Sequence, residues 1–203
     1  AKAEALMAPD AILGSNTSSL RLADLAAFLK RPESFLALHF FNPVPAMKLV
    51  EVSGTSQTSE EARRIATDFC HQIDKTPVQI KDLPGYVVNR LLVPYMLHAI
   101  ETLELGVASA ADIDTAMKLG CGHPMGPLAL ADLIGLDVVI AMAKTMQAEL
   151  RDTRYRQPAA LLRLVLAGHL GRKSGRGIYD YTDAQNPVLN PAVHGADESA
   201  TGT

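Results

Sequence analysis

The sequence is poor in cysteine, in positive charge and in long apolar runs, and each shortage excludes a class of protein. Cys70 and Cys121 are the only cysteines among 203 residues, which is too few for a disulfide framework. Neither has a second cysteine or a histidine at metal-ligand spacing, so no metal site is expected. The net charge of -3 offers no electrostatic basis for binding nucleic acid or an anionic membrane. No apolar run approaches the roughly 18 residues of a membrane span, so a globular protein of the cytoplasm is expected.

Two motifs that mark common α/β enzymes are also missing. There is no Gly-x-Ser-x-Gly, so serine hydrolase chemistry is disfavoured, although "SNTSS" supplies hydroxyl groups after the first predicted strand. No strand is followed by Gly-x-Gly-x-x-Gly. The glycine-rich "GCGHPMG" has a different spacing and follows a predicted helix, so it is interpreted as a turn between helices. "GRKSGRG" (171–177) favours a solvated basic loop over a phosphate site.

The first half of the chain alternates between strand and helix patterns. An apolar run at 11–15, an amphipathic segment at 20–30 and a second apolar run at 34–40 predict one parallel strand–helix–strand step. The run at 47–52 follows after a connector of only five residues, so it is expected to pair antiparallel. Its position is expected to be a sheet edge, where the two prolines of the connector are tolerated.

From about residue 84 onward the pattern becomes helical. Apolar residues at helical spacing predict a long helix over 86–105, and Pro127 and Pro158 suit the first turns of two later helices. The polar, proline-containing stretch 183–203 is expected to be disordered.

The stretch "ALHFFNPVPAMKLVEV" places His39 and Glu51 on two apolar segments across a stiff turn. With a five-residue connector, His39 lies opposite Leu49 and Glu51 lies opposite Ala37, so the two ionisable side chains share one face as diagonal neighbours. A carboxylate that accepts one ring N–H fixes the imidazole tautomer and leaves the other nitrogen as a base. The alternative is a buried histidine with an unrelated acceptor, beside a glutamate that is solvated at a sheet edge.

Taken together, these motifs resemble the 3-hydroxyacyl-CoA dehydrogenase family, from about residue 4 to residue 181. The resemblance rests on "SNTSSL", "HFFNPVPAMKLVEV", "DLPGYVVNRLLVPY", "ASAADIDTAMKLGCGHPMGPLALADLIGLD" and "LGRKSGRGIYDY". The last two are most similar to the short-chain, 3-hydroxybutyryl-CoA branch. The resemblance implies reversible NAD-linked oxidation of a (3S)-hydroxyacyl-CoA to the 3-ketoacyl-CoA, as in fatty acid metabolism. It also implies a homodimer that forms through the helical domain.

The resemblance implies roles for individual side chains. His39 takes the proton of the 3-hydroxyl group, and Glu51 orients the imidazole. Asn89, in "VVNRLL", helps to hold the oxygen of the substrate. Ser18 hydrogen-bonds substrate and cofactor, so it binds rather than attacks. Tyr86 stands where family members usually have phenylalanine.

Three residues are implied to contact NAD, namely Ser18, Asn42 and Lys173. All three belong to its nicotinamide end, whereas the glycine-rich turn and the acidic residue for the adenine ribose are not in this sequence. We therefore expect a C-terminal fragment of a longer enzyme that is inactive alone. Residues 1–83 would be the end of a Rossmann-like NAD-binding domain and residues 84–182 an all-α domain. The alternative is a free-standing helical dimerisation module with a vestigial active site.

Overall fold

The computed structural model describes residues 2–17, 20–183 and 185–194. The chain divides into two compact units, Ala1–Arg90 and Leu91–Thr203. Ser18 lies outside the described residues.

The first unit is built on a four-stranded mixed sheet. Its strands lie side by side in chain order, as β1 (Leu13–Ser15), β2 (Phe35–Phe40), β3 (Leu49–Gly54) and β4 (Thr76–Lys81). Helix α1 (Leu22–Ala26) connects β1 to the parallel β2, which confirms the predicted strand–helix–strand step. Strands β2 and β3 are antiparallel, and helix α2 (Glu60–Gln72) leads from β3 to the parallel β4.

Strand β3 is an interior strand, so the expectation that it lies at the sheet edge is wrong. The sequence pattern after α2 indicates an extended segment but not its partner. In the structure, the crossover through α2 returns the chain beside β3, and β4 takes the edge position. Pro77 is tolerated in β4 because one row of N–H groups on an edge strand needs no partner in the ladder.

Two hydrophobic clusters cover the two faces of this sheet. Because side chains alternate along a strand, Leu36 packs with α2 residues such as Ala66, whereas Ala37 packs with α1 residues such as Leu22. The odd-numbered residues of β2 and β3 therefore point to the face that α1 covers. This face carries the candidate site.

The second unit is mainly helical. Its helices are α3 (Val88–Glu104), which begins in the first unit, α4 (Ala110–Cys121), α5 (Pro127–Ile134), α6 (Leu136–Leu150) and α7 (Ala159–Leu166). Pro127 is the first residue of α5, as predicted, and Pro158 is the residue that caps the start of α7. The segment "GCGHPMG" is the predicted turn between helices, and Gly122 ends α4 with a φ of 68°, which suits glycine.

Part of the stretch that was expected to be disordered has a defined structure. Strand β5 (Tyr179–Asp180) pairs with β6 (Val188–Leu189), so the second unit is not purely helical. Asn190 is buried, and its side chain donates to a backbone carbonyl at 2.7 Å. Val193 belongs to the core of the unit. The polar composition of this stretch therefore did not indicate that Asn190 forms a structural hydrogen bond or that Val193 packs in the core of the unit. Residues 195–203 lie outside the described residues.

Two buried carboxylates connect the elements of the second unit. Asp114 on α4 accepts two N–H groups from the first turn of α5, at 2.8 and 3.0 Å. Asp132 on α5 accepts the N–H groups of Ile178 and Tyr179, at 2.8 and 2.9 Å. It also accepts the hydroxyl of Tyr181 at 2.9 Å. Burial raises the pKa of Asp132 to about 6, although its three hydrogen bonds act in the opposite direction.

Candidate active site

A histidine and a glutamate form a buried pair in the middle of the sheet. His39 on β2 lies directly opposite Glu51 on β3, and its Nδ1 is 2.8 Å from Oε2 of the glutamate. The two residues are 6% and 1% exposed. A carboxylate beside Nδ1 favours the tautomer in which Nδ1 carries the proton and Nε2 can accept one. Nε2 has no hydrogen-bond partner among the described residues. The prediction that both side chains share one face is confirmed.

The register of the pair differs from the predicted one by two residues. His39 was expected opposite Leu49 but lies opposite Glu51, so the two side chains are direct neighbours rather than diagonal ones. The connector is longer than five residues, since it contains a turn in which two N–H groups donate to the carbonyl of Pro43 at 3.0 and 3.1 Å. A shift of two residues keeps every side chain on its face.

Glu51 is held by more than the histidine. Its Oε1 accepts the backbone N–H groups of Val87 and Val88, both at 3.0 Å. These donors lie at the start of α3, where N–H groups lack partners within the helix and the helix dipole favours an anion. Burial alone would raise the pKa of Glu51, but the hydrogen bonds from His39 and from both N–H groups bring it below the usual range. The carboxylate is therefore a stable anion beside the imidazole.

Two aromatic rings flank the imidazole of His39. The ring of Phe41 contacts it edge-on with centroids 4.7 Å apart, and the ring of Tyr86 does so at 5.4 Å. Tyr86 has a φ of 48°, which residues other than glycine rarely adopt. Burial, followed by the negative charges of Asp82 and Glu51, raises the pKa of the Tyr86 hydroxyl to about 12. The hydroxyl is therefore neutral over the physiological pH range.

Two of the other implied site residues lie near the pair or its hydrogen-bond partners along the chain. Asn89 is half-buried in the first turn of α3, directly after Val88, which donates to Glu51. Asn42 is exposed in the turn that follows β2, three residues after His39. No hydrogen bond to a described residue occupies the side chain of either asparagine.

Lys173 belongs to the second unit and has a partner there. Its Nζ donates to Asp137 at 2.5 Å. The other two cations of the basic loop also contact their own unit, because Arg176 pairs with Asp180 and Arg172 lies over the ring of Tyr181. All three cations thus have partners without a phosphate.

Several contributors to the site were not predicted. The N–H groups of Val87 and Val88 have no side-chain signature, and only the preceding Pro-Gly indicated a turn. Asn16 accepts the N–H of Phe40 at 2.9 Å and thereby joins the loop after β1 to the end of β2. Its position directly after a strand, within "SNTSS", was the available signal.

Lys75 was also missed, and no sequence signal indicated it. Its Nζ donates to the carbonyl groups of Val44 and Met47, at 2.6 and 2.8 Å. One side chain therefore holds both sides of the turn that carries Asn42.

The described part of the chain lacks two further classes of site. It contains no group of three or more histidine, cysteine or acidic residues that could hold a metal ion. It also contains no helix with the length and apolar character needed to cross a membrane.

Two models of one protein family match consecutive parts of the chain. The NAD binding domain of 3-hydroxyacyl-CoA dehydrogenase matches residues 1–83, and the C-terminal domain of 3-hydroxyacyl-CoA dehydrogenase matches residues 85–181. The chain belongs to the 3-hydroxyacyl-CoA dehydrogenase family. The resemblance that the sequence motifs indicated is thereby confirmed.

Curated relatives within the family are similar over most of this chain. The 3-hydroxybutyryl-CoA dehydrogenase of Clostridioides difficile is 48% identical over 172 residues, which are 85% of this chain and 61% of that protein. The mitochondrial hydroxyacyl-coenzyme A dehydrogenase of Mus musculus is 46% identical over 171 residues, which are 84% of this chain and 54% of that protein. The chain thus spans less than two thirds of the length of these relatives.

Solved structures of dehydrogenases from the family have a similar fold. The (S)-3-hydroxybutyryl-CoA dehydrogenase of Ralstonia eutropha superposes with a TM-score of 0.85 at 43% identity, covering 90% of this chain and 64% of that one. The 3-hydroxybutyryl-CoA dehydrogenase of Escherichia coli gives a TM-score of 0.86 at 37% identity, covering 98% and 42%.

Proposed function

We propose that the protein is an NAD-dependent 3-hydroxyacyl-CoA dehydrogenase that oxidises (3S)-hydroxyacyl-CoA to 3-ketoacyl-CoA. The observation that carries the proposal is the buried pair of His39 and Glu51, with Nδ1 and Oε2 2.8 Å apart. The names of the relatives favour 3-hydroxybutyryl-CoA as the substrate. Family membership supports the same reaction class.

The pair supplies base and acid catalysis in this proposal. In the oxidative direction, Nε2 of His39 takes the proton of the 3-hydroxyl group. Glu51 holds Nδ1–H and stabilises the imidazolium that results, since its own charge is secured by two further N–H donors. In the reductive direction, Nε2 returns the proton to the ketone oxygen. Asn89, and Ser18 by resemblance, would bind the substrate oxygen.

The residues of the chain fit one end of the cofactor. Bound NAD would accept the hydride from C3 of the substrate. Asn42 is exposed close to His39, and its amide is not used by a described residue, so it can bind the nicotinamide end. Ser18 and Lys173 are proposed for the same end by resemblance. The 203 residues include no Gly-x-Gly-x-x-Gly turn for the pyrophosphate.

We further propose a homodimer that forms through the helical unit. This unit exposes large apolar side chains on several elements, namely Leu105, Val107, Leu119 and Leu166, each at least 70% exposed. Apolar surface of this kind commonly marks a contact with another chain.

Both cysteines are free, which agrees with a reducing compartment such as the cytoplasm.

The decisive experiment measures reduction of acetoacetyl-CoA by NADH with the protein expressed from its complete gene. We expect steady turnover, and we expect His39→Gln to lower kcat by about 10²–10⁴-fold, because glutamine can donate to Glu51 but cannot exchange the proton. His71→Gln is the matched control, since His71 lies exposed in the last turn of α2.

Near-normal turnover by His39→Gln would show that the pair is not the catalytic base. No turnover by the unsubstituted protein, together with a stable dimer, would favour the alternative of a dimerisation module with a vestigial site. This alternative is retained because the helical unit exposes large apolar side chains.

A further inference from the structure

Two buried hydroxyl groups of the first unit have no hydrogen-bond partner among the described residues. They are the Oγ of Ser53 and the hydroxyl of Tyr86. Ser53 is fully buried, and Tyr86 is 6% exposed. Buried hydroxyl groups in folded proteins nearly always have a partner, which is either another protein group or an ordered water molecule. Both groups therefore require an explanation.

The two residues lie on the same face of the sheet. In the strand ladder, Ser53 sits between Ala37 on β2 and Ile80 on β4. Ala37 and Ile80 both pack in the hydrophobic cluster that contains Tyr86. Cross-strand neighbours point to the same face, so Ser53 points toward the cluster that Tyr86 completes.

Both residues are buried, and the cluster on this face of the sheet is formed mainly by apolar side chains. The cluster also contains Leu22, Ala26 and Phe35, which supply no polar atom from a side chain. Ser53 and Tyr86 do not bond to each other directly. A water molecule in a protein interior makes two to four hydrogen bonds and can donate to one hydroxyl while it accepts from another. We propose that Ser53 and Tyr86 hold one internal water molecule between β3 and the turn before α3.

This water site adjoins the candidate catalytic pair on the same face of the sheet. Ser53 follows Glu51 by two residues on the same face of β3. Tyr86 contacts the ring of His39 and immediately precedes Val87, whose N–H group donates to Glu51. The water thus ties β3 to the turn that delivers the donors of Glu51.

The backbone conformation at Tyr86 is one that a hydrogen bond to the side chain would help to stabilise. Its φ of 48° lies in the left-handed region, so the turn that aims the donors is conformationally unfavourable for a tyrosine. A hydrogen-bonded anchor at the end of the side chain compensates for that cost. Ser53 and Tyr86 are therefore positioning residues for Glu51, and this consequence rests on the proposed function.

A double-mutant cycle on the full chain tests the water site without any assay of activity. Ser53→Ala and Tyr86→Phe each remove one oxygen atom and little volume. We expect each change to raise the equilibrium constant of urea unfolding by about fivefold, because the water loses a partner. The double variant should be hardly less stable than either single one, since the two residues share that partner. Ser56→Ala is the matched control, because Ser56 is exposed three residues after Ser53 and its substitution should combine additively with Tyr86→Phe.

The unfolding measurements should show a different pattern if no water is bound. If both hydroxyl groups are dry, removing either one leaves stability unchanged or increases it, and the two effects add; the proposal would then be wrong. A crystal structure of the unsubstituted protein gives an independent answer, including the case in which a variant does not fold. We expect one ordered water within hydrogen-bond distance of both oxygen atoms, and a dry site there would overturn the proposal.

Enzyme kinetics test the positioning role of Ser53 and Tyr86 separately from the water site. In the acetoacetyl-CoA assay, Ser53→Ala and Tyr86→Phe should lower kcat several-fold while KM for acetoacetyl-CoA stays unchanged, and Ser56→Ala should change neither. An unchanged kcat in variants whose stabilities are coupled would leave the water site standing and refute the positioning role. If the unsubstituted protein expressed from its complete gene has no activity, the proposed function fails, whereas the stability cycle still decides the water site.

Discussion

At the scale of single residues, Glu51 combines a proposed catalytic role with a structural one, because a buried carboxylate with three N–H donors stabilises the fold as well as the imidazole. Its hydrogen bonds lower its pKa below the ordinary value of 4.5 in the folded protein. The stability that Glu51 contributes is therefore present above pH 4.5 and is lost as the pH falls through the folded pKa.

Replacing Glu51 with glutamine should remove this dependence. At pH 7 we expect Glu51→Gln to lower the free energy of unfolding by roughly 3 kcal/mol, because the change breaks a buried pair. The difference from the unsubstituted protein should shrink below pH 4.5. Urea unfolding at a series of pH values measures both effects, and Glu60→Gln, at an exposed position of α2, should show neither. A constant difference from pH 3 to pH 7 would contradict the assignment.

The contribution of Asp132 to the free energy of unfolding should depend on pH in the opposite direction to that of Glu51. Burial raises its pKa to about 6 from an ordinary 3.8, so the folded protein binds a proton more tightly than the unfolded chain. The stability linked to this proton is complete below about pH 4 and is lost as the pH rises to about 6, which amounts to roughly 3 kcal/mol. In Asp132→Asn the free energy of unfolding should lack this decline, although the variant is less stable overall because it loses an acceptor. Equal pH slopes for both proteins would show that the three hydrogen bonds outweigh burial.

The sequence predicted the residues of the pair better than their surroundings. His39 and Glu51 could be identified because the two-residue period of strands puts both on one face whenever the register shifts by an even number. The donors of Glu51 could not, since they are backbone groups whose direction depends on the turn at Tyr86. The unpartnered hydroxyl groups of Ser53 and Tyr86 likewise depend on packing that no local pattern reports.

At the scale of elements, the turn between β2 and β3 directly follows the strand that carries His39. It carries Asn42 and is exposed along its length, so neighbouring side chains contribute little packing to it. Lys75 compensates by donating to two of its carbonyl groups. Hydrogen bonds from a charged donor are stronger than neutral ones, and here they join the turn to the start of β4.

Replacing Lys75 with methionine should loosen this turn while the strands persist. We expect KM for NADH to rise several-fold, because Asn42 loses its fixed position, and the free energy of unfolding to fall by about 1 kcal/mol. Steady-state kinetics with varied NADH, on the protein expressed from its complete gene, checks the first effect. Lys48→Met is the matched control, since Lys48 is a second lysine at the same turn but pairs with the exposed Asp74. Equal effects of the two substitutions would mean that Lys75 acts only through its charge.

The elements themselves were predictable where they are local and less so where they depend on distant partners. The parallel step from β1 through α1 to β2 follows from alternating apolar segments, and the helices of the second unit follow from their periodicity and prolines. The pairing of β4 with β3 depends on a crossover of more than twenty residues, which leaves no trace in the local pattern. The pairing of β5 with β6 is local, but the polar composition of the tail did not indicate it.

At the scale of the whole molecule, the exposed apolar side chains of the helical unit predict self-association. We expect a two-fold homodimer at micromolar concentration, because symmetric dimers are the commonest assemblies of a single chain and apolar surface drives their formation. Light scattering coupled to gel filtration should give twice the mass of one chain. A monomer at ten micromolar would contradict the proposal for the helical unit but would leave the catalytic pair untouched.

The last prediction concerns how the 203-residue chain binds its proposed cofactor. A dinucleotide is held mainly by its pyrophosphate, which approaches a helix N-terminus over a glycine-rich turn. No such turn occurs in these residues, and Asn42 is proposed to contact only the nicotinamide end. Calorimetric titration with NADH should therefore show a Kd no tighter than about 1 mM, and the isolated chain should not reduce acetoacetyl-CoA at a measurable rate.

Micromolar binding would contradict this expectation and would direct attention to the cations of the basic loop at 171–177. Lys173 would then have to exchange Asp137 for a phosphate oxygen. Lys173→Met tests that route, because it should abolish tight binding if the loop holds the phosphate and leave it unchanged if another segment does. Arg154→Met is the matched control, since Arg154 is an exposed cation of the same unit that pairs with Asp152.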